Sequence, residues 1–548
     1  MNLLSNKNRS QNKQVLEQEY DLIVIGGGIT GAGIALDAST RGVKVAVIEM
    51  QDFAAGTSSR STKLIHGGLR YLKNFEIKLV SEVGKEREVV YENGPHVTTP
   101  EWMMLPFYEK GSFGPFSTSI GLRVYDYLAG VKKMERRRML SVEETLEREP
   151  LLNREGLKGS GFYVEYKTDD ARLTLEVLKK AIDLGANAFN YMRADQFTYR
   201  DGKLTGVQVT DLTDGEEHTL KARSIINATG PWVDDVRSKD HTKMEKHLFL
   251  TKGVHLVFDQ SIFPLKQAVY FDTPDERMVF AIPRDGKTYI GTTDTHYEGD
   301  IANPTTTLDD RTYLMGAIHE MFPNVHVTDA DIESTWAGLR PLVHEEGKDP
   351  SEISRKDEIF ESDSGLISVA GGKLTGYRKM AEELVDLVLK RTNKEKDFPK
   401  SNTKKIPISG GDVGGSKGFQ TFVRIAREEG LNRGIPENLI HKWVQRYGSN
   451  VNKVFDFYDE VDYFPNHKRE VYAELMYGME YELVAGVNDF FNRRTGALYF
   501  DVDWVEKNRE DVLKIMKEYF DWSTDRTENE RKKLNQALKE AKEPSQHS

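Results

Sequence analysis

Residues 21–49, DLIVIGGGITGAGIALDASTRGVKVAVIE, constrain this chain more than any other stretch. Leu22 to Ile25 is a short apolar run of the kind that makes a buried strand. Gly26-x-Gly28-x-x-Gly31 follows, and a helix of small residues runs through Ala32, Ile34, Ala35 and Ala38. Gly42 ends that helix, and Val43 to Ile48 makes a second apolar strand that closes on Glu49. Strand, glycine turn, helix, strand and acid in this order form a dinucleotide-binding βαβ unit. Gly26 permits the tight turn, Gly28 lets a pyrophosphate approach the backbone, and Gly31 lets helix and strand pack closely. The helix start, at Ile29 and Thr30, offers N–H groups and a positive dipole end to phosphates. Glu49 stands where a carboxylate accepts hydrogen bonds from ribose hydroxyls. The unit alone does not choose between a flavin and a nicotinamide dinucleotide.

At 548 residues the chain is too long for one core, so two to four domains are expected. Its formal net charge of -11 makes it a poor nucleic-acid binder, while leaving room for a local basic patch that meets an anionic substrate or lipid. With 0 cysteines, disulfides, thiolate catalysis, iron–sulfur clusters and a cysteine-linked flavin are excluded, and a cytoplasmic setting is compatible. No metal site is expected. The first 20 residues lack the apolar core of a secretory signal and read as a flexible extension. No run approaches the ~18 apolar residues of a membrane span, so membrane contact would be peripheral.

Directly after the ribose acid comes QDFAAGTSSRSTKLIHGGLRYL, residues 51–72. Thr57, Ser58, Ser59, Ser61 and Thr62 supply hydroxyl and backbone groups suited to the isoalloxazine side of a flavin. His66, Arg70 and Tyr71 follow beside that loop as site candidates. Residues 76–92 read as a helix. The stretch 102–128 is aromatic (Trp102, Phe107, Tyr108, Phe113, Phe116, Tyr125, Tyr127), and Lys132, Lys133, Arg136, Arg137 and Arg138 follow it. Aromatics beside bases suit either a peripheral membrane surface or a core beside a solvated face.

Asp169 and Asp170 open a capped helix that Gly185 stops, and Ala186 to Met192 is a return strand. Residues 203–212 and 218–226 form a hairpin around Asp214-Gly215. It ends in Ala228-Thr229-Gly230, where a bound nucleotide can approach the backbone; paired with the opening unit, this favours a flavoprotein. Residues 247–300 read as an antiparallel substrate sheet, carrying His255 and Thr293, and 308–322 as a helix. Arg340 stands in TWAGLRPL. Gly371-Gly372-Lys373-Leu374-Thr375 repeats the strand–glycine–helix logic and can present N–H groups to a flavin. Beyond a glycine-rich junction at 409–415 the chain becomes amphipathic helices, with a charged tail after 523 that is expected to fray.

The segments DLIVIGGGITGAGIALDASTRG, TSSRSTKLIHGGLRYL, INATGPWVD, GTTDT, WAGLRPL and GGKLTGYRKMAE, in this order, resemble the FAD-dependent glycerol-3-phosphate dehydrogenases. The resemblance implies an α/β chain (α+β overall) of glycine-oxidase-like architecture. A Rossmann-like FAD domain would comprise residues 20–100, 169–240 and 331–398. Residues 101–168 would be a substrate- or membrane-facing segment, 241–330 a β-rich substrate domain, 399–548 a helical domain, and 1–19 the flexible extension.

The implied reaction is oxidation of sn-glycerol 3-phosphate to dihydroxyacetone phosphate, with hydride passing from C2 to flavin N5 and electrons passing on to a quinone. Arg340 and Arg70 are the phosphate candidates, since guanidinium forks bind phosphate oxygens bidentately. Tyr71 and Thr293 are further substrate-side candidates. His66 and His255 are candidate bases, and Lys373 would sit near flavin N1 or touch substrate. Gly26, Gly28, Ile29, Thr30, Gly31, Glu49, Thr57, Ser58, Ser59, Ser61, Thr229, Gly230 and the 371–375 turn would hold FAD. The alternatives are an oxidase that makes peroxide from oxygen, an amine or amino-acid oxidase, and a non-catalytic flavin-binding protein. A homodimer and peripheral contact with the inner face of the cell membrane are compatible with the family.

Overall fold

The computed structural model describes residues 3–66, 77–109, 111, 114, 122, 135–240, 245–345, 357–460 and 468–545. In chain order the strands are β1 (Glu19–Ile25), β2 (Val45–Ile48), β3 (Leu64–Ile65), β4 (Thr98–Tyr108), β5 (Arg138–Leu140), β6 (Leu157–Thr168), β7 (Asn187–Phe189), β8 (Met192–Arg200) and β9 (Lys203–Asp211). They continue as β10 (Glu217–Asn227), β11 (Lys246–Asp259), β12 (Ala268–Asp272), β13 (Met278–Arg284), β14 (Lys287–Gly291), β15 (Thr295–His296), β16 (Ile332–Glu345), β17 (Glu358–Glu361) and β18 (Ile367–Ala370).

Among the described residues these strands form two sheets. The first runs β17-β18-β10-β1-β2-β7, with β8 and β9 added beyond β10. Strands β18, β10, β1, β2 and β7 are parallel neighbours. A parallel sheet is buried on both faces, and Leu22, Ile23 and Val24 are accordingly closed to solvent. Helix α1 (Ile29–Thr40) covers one face together with α2 (Asp170–Asp183) and α3 (Tyr377–Arg391). The small residues of α1 make this close packing feasible: a Cβ on Gly31 would collide with the Gly26 carbonyl, and one on Gly33 would stand 2.8 Å from the Tyr377 ring. Because the strands run the same way, Gly26, Glu49, Ala228 to Gly230 and Gly371-Gly372 all emerge at one edge. That edge is where open α/β sheets bind ligands.

The second sheet runs β15-β11-β14-β13-β12-β4-β6-β3, with β16 on β11 and β5 on β6. Its register places Thr251 opposite Arg340, Gly253 opposite Gly338 and His255 opposite Trp336, with Gly291 on the other side of His255. Directly paired residues share a face. Three glycines therefore clear the face on which His255 and Arg340 stand.

The capped helix at 170–183, the hairpin about Asp214-Gly215 and the helix at 308–321 form as the sequence predicts. Other boundaries move. Residues 332–345 belong to the second sheet, not the cofactor domain, because β16 pairs with β11 along its whole length. Residues 64–65, 98–108, 138–140 and 157–168 also join that sheet as β3, β4, β5 and β6. The N-terminal segment is not a loose extension. Arg9 donates to Asp211 at 2.8 Å, Lys13 donates to Asp214 and Glu216, Asn6 donates to the Leu483 carbonyl, and Leu16 is buried.

Helices at 415–432, 437–447, 451–460, 469–481, 502–520 and 524–542 make the C-terminal part. The charged tail is one of them. Ser523 caps it, and Leu534 and Leu538 bury against the rest, so it does not fray. In the aromatic stretch, Phe107 is buried, Trp102 stacks on Phe162 at 4.7 Å and Arg138 lies over Trp102 at 5.6 Å. Phe113, Phe116, Tyr125, Tyr127, Lys132 and Lys133 lie outside the described residues.

Candidate active site

A cavity of about 530 Å³ runs from the glycine edge of the first sheet to the glycine-cleared face of the second. Gly26, Gly28, Ile29, Thr30, Glu49, Thr229 and Gly230 line it from the first sheet. His255, Thr292, Gly338 and Arg340 line it from the second, and His66 and the 371–375 turn from the loops between.

Several groups at the nucleotide end are already oriented by the protein. Glu49 accepts from the backbone N–H of Gly27 at 2.7 Å and of Gln51 at 2.8 Å, and burial raises its pKa. Ser58 Oγ accepts from Ile29 N–H at 3.0 Å, so the first turn of α1 is partly capped from the cofactor loop. Thr57 donates to the Leu339 carbonyl at 2.8 Å. Ser61 donates to Asp170 at 2.7 Å, and Lys63 joins the same carboxylate at 2.6 Å. These bonds fix the loop between the two sheets, and they spend hydroxyls that the sequence reserved for a flavin. Ser59 is buried and does not line the cavity. Gly31 is also off the wall, since its task is helix–strand contact.

At the opposite end Arg340 pairs with Asp294 at 3.0 Å and donates to Thr292 Oγ1 at 3.2 Å. A Cβ on Gly253 would press on that guanidinium at 2.8 Å. His255 Nε2 lies 3.0 Å from Thr62 Oγ1, and its ring stacks on Trp336 with centroids 4.6 Å apart. Burial, then the Arg340 and Lys63 charges, hold its pKa well below the ordinary value. His66 is lowered to about 4 by burial, then by Lys373 and Arg340. Both imidazoles are therefore neutral at pH 7. Thr375 donates to the His66 carbonyl at 3.1 Å and ties the late glycine turn to that loop.

Thr293 is not a cavity residue. Its hydroxyl donates to the Lys252 carbonyl and accepts from Val254 N–H, stapling one strand end to β11. Its neighbour Thr292 lines the cavity instead. Arg70 and Tyr71 lie outside the described residues. Thr292, Asp294 and Trp336 were missed by sequence reasoning, and Thr62 was read as a flavin-side hydroxyl rather than as the partner of His255. GTTDT and TWAGLRPL contain the first three, but only the tertiary structure shows which of their residues face the cavity.

A largely parallel sheet with a glycine-edged nucleotide cradle, joined to a largely antiparallel sheet bearing cations and neutral imidazoles, defines a flavin-type oxidoreductase. The residues fit FAD: a Cβ on Gly26 would strike the Ala228 carbonyl, and one on Gly28 would stand 3.1 Å from Ser58 Oγ, filling the cradle. The chain belongs to the FAD dependent oxidoreductase family, whose profile matches residues 21–378. Residues 401–527 match the C-terminal domain of alpha-glycerophosphate oxidase. The chain is 59% identical over 536 residues to an aerobic glycerol-3-phosphate dehydrogenase of Bacillus subtilis, covering 96% of each. It is 57% identical over 534 residues to the protein of that name in Staphylococcus aureus, again covering 96% of each. Among solved structures, glycerol-3-phosphate dehydrogenase from Bacillus halodurans complexed with FAD is 47% identical with a TM-score of 0.87, covering 100% of both chains. L-alpha-glycerophosphate oxidase from Mycoplasma pneumoniae, at 19% identity and a TM-score of 0.56 over 70% of this chain and 97% of that one, shares the fold.

Proposed function

We propose that the protein oxidises sn-glycerol 3-phosphate at C2 to dihydroxyacetone phosphate, with FAD as its resident cofactor and a quinone as electron acceptor, in glycerol catabolism. The observation that carries this reading is one cavity holding a nucleotide cradle at one end and Arg340, Lys373, His66 and His255 at the other. FAD, when bound, supplies the hydride acceptor.

The chain's own residues supply the rest. Arg340, aimed by Asp294 and Thr292, receives the dianionic phosphate with Lys373 as a second cation. Neutral His66, half-buried in the cavity wall, accepts the C2 hydroxyl proton. His255 is held by Thr62 and Trp336, which suits it to orienting that hydroxyl. Arg70 and Tyr71, next along the loop from His66, remain candidates for the same anion.

Adding glycerol 3-phosphate anaerobically to FAD-loaded protein bleaches the flavin band in seconds; an unchanged spectrum would sink the reading. His66→Gln slows bleaching by about 10²- to 10⁴-fold while FAD stays bound. The names of the close relatives support a dehydrogenase, whereas the C-terminal match carries the name of an oxidase. Reoxidation by menadione without peroxide supports the quinone reading, and rapid peroxide formation in air replaces it with the oxidase.

Among the described residues no helix is long and apolar enough to cross a membrane. Contact with the inner face of the cell membrane would be peripheral. Flotation with anionic vesicles tests it: recovery only in the protein pellet would remove the membrane from this reading.

A further inference from the structure

We propose that Arg493 and Arg494, in the C-terminal part of the chain, are positioning residues for FAD: acting through Asp52, they hold Glu49 in the direction that grips the adenosine ribose. The proposal rests on the placement of Glu49 at the FAD ribose and is independent of which substrate is oxidised.

Glu49 follows β2 and lines the cofactor cavity, whereas Asp52, a little further on, does not. Each Glu49 oxygen accepts one backbone N–H, from Gly27 at 2.7 Å and from Gln51 at 2.8 Å. A carboxylate oxygen has two lone-pair sites, so each keeps one for a ribose hydroxyl. The Gly27 N–H is aimed by the glycine turn itself. The Gln51 N–H is aimed by whatever holds Gln51 and Asp52. The Gln51 carbonyl accepts from Tyr191 N–H at 2.8 Å, and the Asp52 carboxylate is gripped by the two arginines. Burial raises the Glu49 pKa; the Gln51 and then the Gly27 N–H lower it, Asp52 raises it, and Arg493 lowers it again. The arginines therefore act on Glu49 twice, by aiming an N–H at it and by offsetting the Asp52 charge.

The grip on Asp52 has a fixed direction. Arg493 donates to one carboxylate oxygen at 2.5 Å, and Arg494 donates to both, at 2.6 and 2.9 Å. Both arginines stand on a π-turn, Asp489–Arg494, which the Thr495 N–H closes on the Phe490 carbonyl at 3.0 Å. Such turns are rare and concentrate at functional sites. The guanidiniums are themselves held, Arg493 by Asp489 and Arg494 by the Glu482 carbonyl, each at 2.7 Å. Asp489 also accepts from the Tyr191 hydroxyl at 2.6 Å, and Asn190 bridges Asp52 to the Leu483 carbonyl. Next to Asn190 and Tyr191, the Phe189 carbonyl accepts from Glu49 N–H at 2.9 Å, and Met192 N–H donates to the Glu49 carbonyl at 2.7 Å. The exit of β2 is thus held by groups that converge on one buried cluster.

Fastening alone does not call for this arrangement. Burying Asp52, Asp489, Arg493 and Arg494 carries a desolvation cost, and packed apolar side chains join elements as firmly. An apolar contact has no charge and no preferred direction; a carboxylate held at both oxygens has both. The two arginines lie 441 and 442 residues from Asp52, so the far end of the chain completes the nucleotide grip of its beginning.

The test is cofactor exchange on the holoenzyme. FAD-loaded protein is brought to equilibrium with an equal excess of FAD and an analogue whose adenosine lacks the ribose 2′-hydroxyl, and the bound ratio is read by mass spectrometry. Wild type is expected to favour FAD about tenfold or more, since hydrogen bonds to a charged group are strong. Arg493→Gln and Arg494→Gln are expected to lower that preference about threefold or more and to speed FAD release, read from recovered flavin fluorescence. Arg87→Gln, which removes a buried pair with Glu165 on β6, leaves the preference within about twofold. Structural loosening alone weakens both dinucleotides alike and leaves the ratio unmoved. A wild-type ratio near one, an unchanged ratio in both arginine variants, or an equal fall in Arg87→Gln overturns the proposal. Should Arg494→Gln not fold, Arg493→Gln, at a site 9% exposed, decides, with Arg493→Lys expected to restore part of the preference. Anaerobic bleaching of wild type by glycerol 3-phosphate judges the substrate reading separately and leaves the exchange ratio readable.

Discussion

Asp52→Asn probes how the C-terminal helices are fastened to the cofactor loop. The Asp52 carboxylate is fully buried. One oxygen accepts from Arg493 Nε at 2.5 Å and Arg494 at 2.6 Å; the other accepts from Arg494 at 2.9 Å and Asn190 at 3.0 Å. The two guanidinium charges overcome burial and hold its pKa far below the carboxylate range. The amide keeps the shape, removes the charge and turns an N–H₂ toward two cations. Breaking a buried pair by removing one partner costs about 3–5 kcal/mol. Arg493 keeps Asp489 at 2.7 Å and Arg494 keeps the Glu482 carbonyl at 2.7 Å, which sets the expectation near the lower bound, ~3 kcal/mol.

In urea, with slopes of about 1–3 kcal/mol/M, the transition that releases the C-terminal helices should move down by roughly 1 M or more. Because the folded pKa is depressed, the stabilisation is present above the unfolded value near 4 and is lost as pH falls through the folded one. The gap between wild type and variant is therefore constant from about pH 5 to 8 and narrows below about pH 4. A gap under ~1 kcal/mol at pH 7, or one that closes between pH 5 and 8, would refute the reasoning.

Three further outcomes are expected. Gly26→Ala places a methyl against the Ala228 carbonyl at a φ of 114°, so purified protein should lose bound FAD by absorbance and melt earlier. Arg340→Ala should raise KM for glycerol 3-phosphate about 10- to 150-fold, as loss of charge-assisted bonds worth roughly 1.5–3 kcal/mol implies, while leaving turnover of unphosphorylated glycerol unchanged. The His66 imidazole, lowered to about 4, should stay neutral from pH 5 to 8 in histidine-labelled NMR of the free enzyme. Its contribution to folding is complete above about pH 6.5 and falls as acid protonates the unfolded chain; a midpoint near 6.5 in the folded protein would contradict the burial argument.

The opening βαβ unit was legible because its features are local. Apolar runs, glycines and the terminal acid lie within thirty residues, and periodicity and turn chemistry determine such units almost alone. The hairpin about Asp214-Gly215 and the capped helix at 170–183 share that property. The domain boundary at 331 was misplaced for the opposite reason. TWAGLRPL is apolar and glycine-bearing whichever sheet it joins, and only pairing with β11 assigns it to the second. The N-terminal segment and the charged tail misled because charge reads as solvated in sequence. In the fold their few apolar residues and paired charges are anchored, at Leu16 with Arg9, and at Leu534 with Leu538.

Within the site the same division holds. The sequence determined the nucleotide cradle, the cations and the histidines available, since glycine spacing and residue chemistry are properties of the chain itself. Register decided which of the strand residues meet: a side chain's face alternates with every residue, so Arg340 and His255 share the face that reaches the cavity. Thr293, between β14 and β15, instead staples that segment to β11. Burial then decided their protonation, because neutrality of His66 and His255 depends on desolvation and on Lys373, Lys63 and Arg340, which only tertiary packing brings near.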